Sequence, residues 1–106
     1  MQPEVGQVVT VFRSRLRPDA DGYADDAARI AELARSMPGY VEHKGFTAAD
    51  GERVTLVTFA DRASHDAWRD HPEHRAAMRR GKDQYYETYS IQVGTTTYAS
   101  AFPRRA

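Results

Sequence analysis

Residues 59–89 have the sequence FADRASHDAWRDHPEHRAAMRRGKDQYYETY, and this stretch decides how the rest of the chain is interpreted. It contains the single tryptophan, Trp68, and, six residues later, His74. Between them stands Pro72, which cannot donate a backbone hydrogen bond and disfavours helix at the residue before it. Proline nevertheless fits well at the first position of a new helix. The sequence therefore predicts a break in a helical region, with an indole before it and an imidazole after it.

The two helices on either side of this break are short. We predict the first over residues 63–70 and the second over residues 72–80. Gly81 is expected to stop the second helix, because glycine is common just beyond a helix C-terminus. A bend between two such helices can direct Trp68 and His74 into one space.

The remaining elements follow from hydrophobic periodicity and from turn residues. In order along the chain, they are a strand at 7–16, a helix at 23–37, strands at 40–47 and 54–59, and a last strand at 84–93. The order β-α-β-β-α-β is that of the ferredoxin-like α+β fold, with a four-stranded antiparallel sheet and a second helical region split at Pro72. We predict one domain over residues 1–106, with a core at 7–95 and a C-terminal extension at 96–106.

Composition excludes several classes of function. Fifteen basic and fifteen acidic residues cancel, so no overall field favours nucleic acid or an anionic membrane as a partner. The chain has no cysteine, and therefore no disulfide, thiolate nucleophile or cysteine-based zinc site. No apolar run approaches the length of a membrane span or a signal-peptide core, which favours a cytoplasmic domain. His71 and His74 flank Glu73, but Pro72 interrupts the spacing and no further ligand is evident, so we predict no metal.

The two faces of the predicted sheet raise a packing problem. Helices cover only one face of a sheet in this topology, yet apolar residues alternate onto both faces of the first strand. Val8, Phe12 and Val57 are difficult to place if the second face is bare. Because large exposed apolar patches usually mark a partner surface, we expect a homodimer that packs sheet against sheet.

These elements resemble the antibiotic biosynthesis monooxygenase domain, a family of the dimeric α+β barrel superfamily. The resemblance covers residues 7–95. Its carriers are Pro38-Gly39-Tyr40 after the first long helix, Phe59-Ala60-Asp61 after the third strand, Trp68, Pro72-Glu73-His74, and the strand from Tyr85 to Val93. The family is implied to include cofactor-free oxygenases of polycyclic phenols or anthrones, quinol oxygenases and haem-degrading enzymes, and the fold alone selects none of them.

The resemblance implies different residues for two of these branches. Haem-degrading members have an asparagine on the first strand and a haem-ligating histidine nine or ten residues after the tryptophan. This chain contains no asparagine, and Ala77 and Met78 occupy those later positions. In the cofactor-free branch, a tryptophan and a polar ring-bearing residue six positions later line the cavity, and Trp68 and His74 match that spacing.

The candidate chemistry needs only a base, a partner for an oxyanion and a dry aromatic cavity, with dioxygen and a small aromatic molecule as the reactants. The catalytic candidates are His74 as base, Arg13 as anion partner and Trp68. Stacking against a flat substrate is assigned to an aromatic and imidazole set, namely Phe12, His71, Tyr86 and Tyr89.

Each candidate residue can also be explained by a purely structural role. Trp68 can be core, His74 surface, and His71 a helix cap, while His65 is expected to be solvated. Arg13 can belong to a polar strand end, and Tyr85 and Tyr89 can be core because they share a face of the predicted strand with Ile91 and Val93. The leading hypothesis is a cofactor-independent monooxygenase of a phenolic or quinol compound. Its alternatives are a non-catalytic ligand-binding dimer and a haem-binding or haem-degrading protein.

Overall fold

The computed structural model describes residues 2–103. Along the chain, the elements are β1 (Val8–Leu16), α1 (Tyr23–Ser36), β2 (Tyr40–Thr47), β3 (Arg53–Phe59), α2 (Arg62–Arg69), α3 (Pro72–Arg80), a π-helical turn (Gly81–Tyr85) and β4 (Tyr86–Thr95). The strands form one antiparallel sheet in the order β2-β3-β1-β4. The ferredoxin-like α+β fold predicted from the sequence is confirmed.

Local chemistry accounts for the break between α2 and α3. The Asp61 carboxylate caps α2 by accepting a hydrogen bond from the Ser64 amide at 2.8 Å. After α2, His71 is extended, with a φ of −59° and a ψ of 134°, and Pro72 begins α3. The His71 Nδ1 atom accepts a hydrogen bond from the Glu73 amide at 3.1 Å, so the imidazole caps α3.

The helices cover one face of the sheet, which we call the helix face. Strand pairing places Val8 opposite Phe59, Thr10 opposite Val57 and Phe12 opposite Thr55 on that face. Val8 and Val57 are buried there, with 1% and 2% of their surfaces exposed. The expectation that Val8, Phe12 and Val57 need a second covering layer was therefore wrong, because one alternating set of residues reaches the helices.

The opposite face of the sheet, which we call the open face, has a different apolar set. It consists of Val9, Val11, Phe46 and Leu56, and Phe46 is 48% exposed. Nothing within residues 2–103 packs over this face as a helix layer. One face of the sheet thus leaves apolar side chains uncovered, as the sequence indicated, but these are the residues of the open face and not Val8, Phe12 and Val57.

The core lies where α1 and α2 cross β3. Ala34, Val57, Phe59 and Trp68 form one buried cluster. The Phe59 ring lies 5.4 Å from the Trp68 ring, centroid to centroid. Gly39 permits this close packing of α2, because a Cβ atom there would lie 2.5 Å from the Ser64 side chain and the glycine φ is +81°.

The approach to β4 differs from the predicted one in two ways. The helix α3 ends at Arg80 with Gly81 as its C-cap, as predicted, but Gly81 keeps a right-handed helical conformation (φ −58°, ψ −49°) and the chain continues as the π-helical turn. A β-bulge opposite Arg15/Leu16 then shifts the register of β4. As a result Tyr86, and not Tyr85, shares the helix face with Tyr89, so the strict alternation predicted for this strand was wrong at its start.

The predicted C-terminal extension begins beside the N-terminal segment. The Thr96 amide donates to the Gln7 carbonyl at 2.8 Å, and the Gly6 amide donates to the Thr96 carbonyl at 2.9 Å. Further on, Tyr98 and Phe102 are 79% and 98% exposed. Arg104 and Arg105, at the end of the predicted extension, lie outside the described residues. Across residues 2–103, no helix is long and apolar enough to cross a membrane.

Candidate active site

A cavity of about 200 Å³ lies between the helix face of the sheet and the three helices. Aromatic, aliphatic and imidazole side chains predominate in its wall. The lining residues are Thr10, Phe12, Tyr23, Asp26, Ala27, Ile30, His43, Thr55, Val57, His65, Trp68, Arg69, His74, Ala77, Met78, Tyr85, Tyr86, Ile91 and Val93. A mostly apolar pocket with a few convergent polar groups is the usual form of a small-molecule site.

The break at Pro72 brings the two ring systems together. The His74 ring lies 4.2 Å from the Trp68 ring, at an angle of 46°. On its other side, the Trp68 ring packs against Phe59 within the buried cluster. The indole therefore belongs both to the core and to the cavity wall, and the imidazole rests on it.

The hydrogen bonding of His74 fixes which of its nitrogens is free. Its Nδ1 atom lies 3.1 Å from the Arg69 carbonyl oxygen, which can only accept, so Nδ1 carries the proton and donates. In the neutral ring, Nε2 is then an acceptor. Burial lowers the pKa of His74 below its ordinary value of 6.5, which outweighs the opposite effect of the Arg69 hydrogen bond. The side chain is thus a neutral base at neutral pH.

Two buried polar atoms of cavity-lining residues have no hydrogen-bond partner within residues 2–103. They are the Thr10 hydroxyl oxygen and the Trp68 Nε1 atom. A buried polar group without a partner costs about 1–3 kcal/mol, so such atoms are uncommon in native proteins and require an explanation. Both residues line the cavity, but these two atoms are covered by their neighbours, so a ligand in the cavity would reach them only after those neighbours shift.

A pair of tyrosines forms another part of the wall. The rings of Tyr23 and Tyr86 meet edge to face at 5.8 Å, and the Arg53 guanidinium lies 5.3 Å from the Tyr23 ring centre. Burial, followed by the neighbouring Tyr23 hydroxyl, raises the pKa of Tyr86 above its ordinary value. Tyr86 is therefore a protonated phenol that can donate a hydrogen bond across the whole physiological range.

The charged residues of the wall are already paired. Asp26 accepts two hydrogen bonds from Arg80, at 2.7 and 2.8 Å, and a third from Arg29 at 2.7 Å. These bonds tie α1 to α3, and the Arg80 contact lowers the pKa of Asp26 most strongly. Arg69 forms an ion pair with Asp70 at 2.9 Å. The wall therefore contributes no unpaired charge among the described residues.

The structure brings four of the predicted site residues to this cavity, namely Phe12, Trp68, His74 and Tyr86. Tyr89 packs 5.5 Å from Phe12 beside the cavity but is 39% exposed, so it does not belong to the core. Tyr85 is 8% exposed, as its interpretation as a core residue predicted, and it also lines the cavity. This placement brings the residues together, and the catalytic and binding roles assigned to them stay predictions.

Two predicted site residues lie elsewhere. Arg13 alternates with Phe12, so it projects from the open face, where it forms an ion pair with Glu52 at 2.8 Å. It cannot steady an anion in a cavity on the other side of the sheet, and that assignment was wrong. His71 is the cap of α3 and does not line the cavity, so its assignment to substrate contact was also wrong.

Most residues of the wall were not predicted as site residues, and three of them with polar rings are His65, His43 and Tyr23. His65 was expected to be solvated but is 3% exposed, with its Nδ1 atom 2.7 Å from an Asp66 carboxylate oxygen. A signal was present, because His65 and Trp68 are three residues apart and share a helix face. His43 and Tyr23 were not named as site residues. His43 sits opposite Val57 on β2, and burial, with a contribution from Arg35, lowers its pKa.

The cavity does not fit a haem group. Sites for drug-sized ligands have volumes of about 300–1,000 Å³, and this one is smaller. Haem also carries two propionates, whereas both charged residues of the wall are already in ion pairs. Within residues 2–103, no three His, Cys, Asp or Glu side chains converge as ligands for a metal ion.

Comparison with known sequences identifies related proteins. The sequence model of the antibiotic biosynthesis monooxygenase family matches residues 7–80. The chain is also 31% identical over 91 residues to the uncharacterized protein YqjZ of Bacillus subtilis strain 168, a match that covers 86% of this chain and 80% of YqjZ.

Solved structures share the fold at lower identity. SnoaB, a cofactor-independent oxygenase from Streptomyces nogalater, is 17% identical with a TM-score of 0.76, and the match covers 93% of this chain and 99% of SnoaB. Rv0793 from Mycobacterium tuberculosis is 18% identical with a TM-score of 0.79, over 91% of this chain and all of that one. At these identities the likeness concerns the fold alone.

Proposed function

Because this chain belongs to the antibiotic biosynthesis monooxygenase family, we propose that it oxygenates a small phenolic or quinol compound without a bound cofactor. The observation that carries the proposal is the neutral His74 ring at the cavity wall, with its Nδ1 proton held by the Arg69 carbonyl and its Nε2 atom free to accept. SnoaB, which shares the fold, is a cofactor-independent oxygenase, and this agrees with the proposal.

The chemistry begins with removal of a proton from the substrate. His74 Nε2 takes the proton of a phenolic O–H, and the resulting phenolate is electron-rich enough at a ring carbon to react with dioxygen. The carbon–oxygen bond that forms gives a peroxide, whose O–O bond then breaks. One oxygen atom stays on the ring as a carbonyl, the other leaves as water with the two hydrogens lost by the substrate, and the phenol becomes a quinone.

The cavity wall supplies the environment for this reaction. The protonated Tyr86 hydroxyl is a donor that can stabilise the developing oxyanion, in the role that the sequence assigned to Arg13. The apolar lining keeps water from competing for that donor and from the phenolate. The indole of Trp68 provides a flat surface for an aromatic ring.

The test is oxygen uptake and quinone formation by metal-free, flavin-free protein with a panel of phenols and quinols. Replacement of His74 by Gln removes the base but keeps a polar side chain, and we expect the rate to fall about 10²–10⁴-fold. His71→Asn is the matched control, since asparagine retains a capping acceptor and His71 does not line the cavity. Equal rates in the His74→Gln variant and the wild type would show that His74 is not the base. Binding without turnover across the panel would leave a ligand-binding protein instead of an enzyme.

We also propose that two copies associate through their open faces. Val9, Val11, Phe46 and Leu56 form an apolar surface there, and the dimeric superfamily to which the sequence is similar supports this arrangement. Leu56→Arg places a charge at the centre of that surface and should convert the dimer to a monomer in sedimentation velocity. Ala28→Arg, on the exposed side of α1, is the control and should leave the mass unchanged. A monomeric wild-type protein at micromolar concentration would contradict the arrangement.

A further inference from the structure

We infer that the occupant of the cavity is an uncharged phenol or quinol of one or two fused rings, and not a tricyclic, larger or anionic aromatic compound. The inference rests on the proposed function, because it names the substrate class of the same site. It follows from three properties of the wall, namely its volume, its charge and the hydrogen bonds it leaves unmade.

The volume sets the number of rings. An engineered apolar cavity of about 150 Å³ in another protein holds one benzene molecule. The cavity here measures about 200 Å³, which leaves space for one ring with substituents or for two fused rings. Three fused rings would exceed it, since drug-sized ligands occupy pockets of about 300–1,000 Å³.

Within residues 2–103, the helix face of the sheet offers no second buried space for a third fused ring. The cavity opens beside β4, where the lining residues Ile91 and Val93 are 47% and 43% exposed. A third ring would extend through that opening and remain in water. It would then gain little of the hydrophobic free energy that drives binding, which scales with the apolar area removed from water.

The charge of the wall excludes anionic compounds. Asp26 is paired with Arg29 and Arg80, and Arg69 is paired with Asp70, so no cation in the lining is free to receive a carboxylate or phosphate. Burial keeps His43 and His74 neutral by lowering the pKa of each. A permanently charged anion placed here would lose its hydration without gaining an oppositely charged partner, which is strongly unfavourable.

The unmade hydrogen bonds indicate where the oxygens of the ligand lie. His74 Nε2 is an acceptor and requires an O–H group, which a phenol or quinol supplies. The lone pairs of the same oxygen can accept a hydrogen bond from the protonated Tyr86 hydroxyl.

The first experiment measures binding separately from turnover. Calorimetric titration without oxygen would use phenol, 2-naphthol, 2-hydroxyanthracene and 3-hydroxy-2-naphthoate. The last compound is 2-naphthol with one added carboxylate, so it tests charge at nearly constant size. We expect 2-hydroxyanthracene to bind no more tightly than 2-naphthol, because its third ring stays in water, and we expect 2-naphthol to bind about a hundredfold more tightly than its carboxylate.

A variant with a larger cavity tests whether the cavity volume limits the affinity for a three-ring phenol. Ile30 lines the cavity from α1, whereas Leu33, one turn further along the same helix, does not. Ile30→Ala should therefore raise the affinity for 2-hydroxyanthracene relative to 2-naphthol by about tenfold, since the added space accepts part of the third ring. Leu33→Ala should leave the ratio of the two affinities unchanged.

The outcomes separate this inference from the proposed activity. Tighter binding of the three-ring phenol than of 2-naphthol by the wild type, or equal binding of 2-naphthol and its carboxylate, overturns the inference. If such compounds are nevertheless oxidised, the proposed function stands without it. If 2-naphthol binds selectively but no phenol or quinol consumes oxygen, the ligand class stands and the proposed activity falls. If no compound binds, the inference is wrong.

Discussion

The helix face of the sheet has two regions that differ in how they are filled. Over β3, the side chains of Ala34, Val57, Phe59 and Trp68 pack as one buried cluster, which we call the packed side. Beside this cluster, the same helices leave a cavity of about 200 Å³ that is lined from all four strands, which we call the hollow side. The two regions meet at Val57 and at Trp68, which contacts Phe59 on one side and His74 on the other.

This difference shows which residues serve folding and which serve the site. The packed side has no unpartnered polar atom apart from the Trp68 Nε1 at its border, whereas the hollow side contains the unpartnered Thr10 hydroxyl and three imidazoles, those of His43, His65 and His74. Protein interiors are normally close-packed, so an unfilled region with polar side chains does not increase stability. The ligand proposed above would account for this unfilled region.

The largest effect is expected on the packed side. Phe59 is fully buried, so Phe59→Ala should lower the free energy of unfolding by about 3–5 kcal/mol, through lost burial and the void left behind. Chemical denaturation followed by Trp68 fluorescence measures this loss. For a chain of this size it is a large part of the total stability.

The matched change on the hollow side is Ile91→Ala. Ile91 lines the cavity and is 47% exposed, so its truncation should cost about 1 kcal/mol or less. Similar losses from the two variants would mean that the hollow side is as important for folding as the packed side, and the distinction would fail.

Sequence patterns alone could predict the elements and the break at Pro72, because these depend on neighbouring residues. The pairing of Trp68 with His74 followed from that break. In contrast, the side of the sheet on which Arg13 lies depends on which strand face the helices cover, and a single strand with apolar residues on both faces does not decide this. Only the complete register, with Arg13 opposite Val54 and Ser90, places it on the open face.

The start of β4 illustrates a second limit. The bulge opposite Arg15/Leu16 inserts one residue, and each residue inserted exchanges the faces of those before it. Tyr86 therefore faces the cavity although the sequence alternation assigned that face to Tyr85. The bulge arises from pairing between distant strands and from the π-helical turn, neither of which has a local sequence signal.

Thr10→Val is expected to change the free energy of unfolding less than Phe59→Ala does, and in the opposite direction. Valine has nearly the shape of threonine, so the substitution removes the unpartnered hydroxyl and leaves the packing intact. We expect the free energy of unfolding to rise by about 1 kcal/mol. Thr58→Val is the control, because Thr58 is buried on the open face and is not among the unpartnered atoms. A loss of stability in Thr10→Val would show that the hydroxyl has a partner important for folding.

The smallest expected effect is a lowered titration midpoint of His74, which would distinguish a side chain of the hollow side from one on the surface. Burial is the main cause of the lowered pKa of His74, ahead of the nearby His65 and His71, so its midpoint in an NMR pH titration should lie below 6.5 and move little between low and high salt. The His74→Gln variant identifies the resonance. The native state should lose stability as the pH falls from about 6.5 towards that midpoint, because the unfolded chain then binds the proton more readily. Catalysis by the neutral base should fall over the acidic range around the midpoint. A midpoint at or above 6.5 would place His74 in contact with water and remove the buried base on which the hollow side depends.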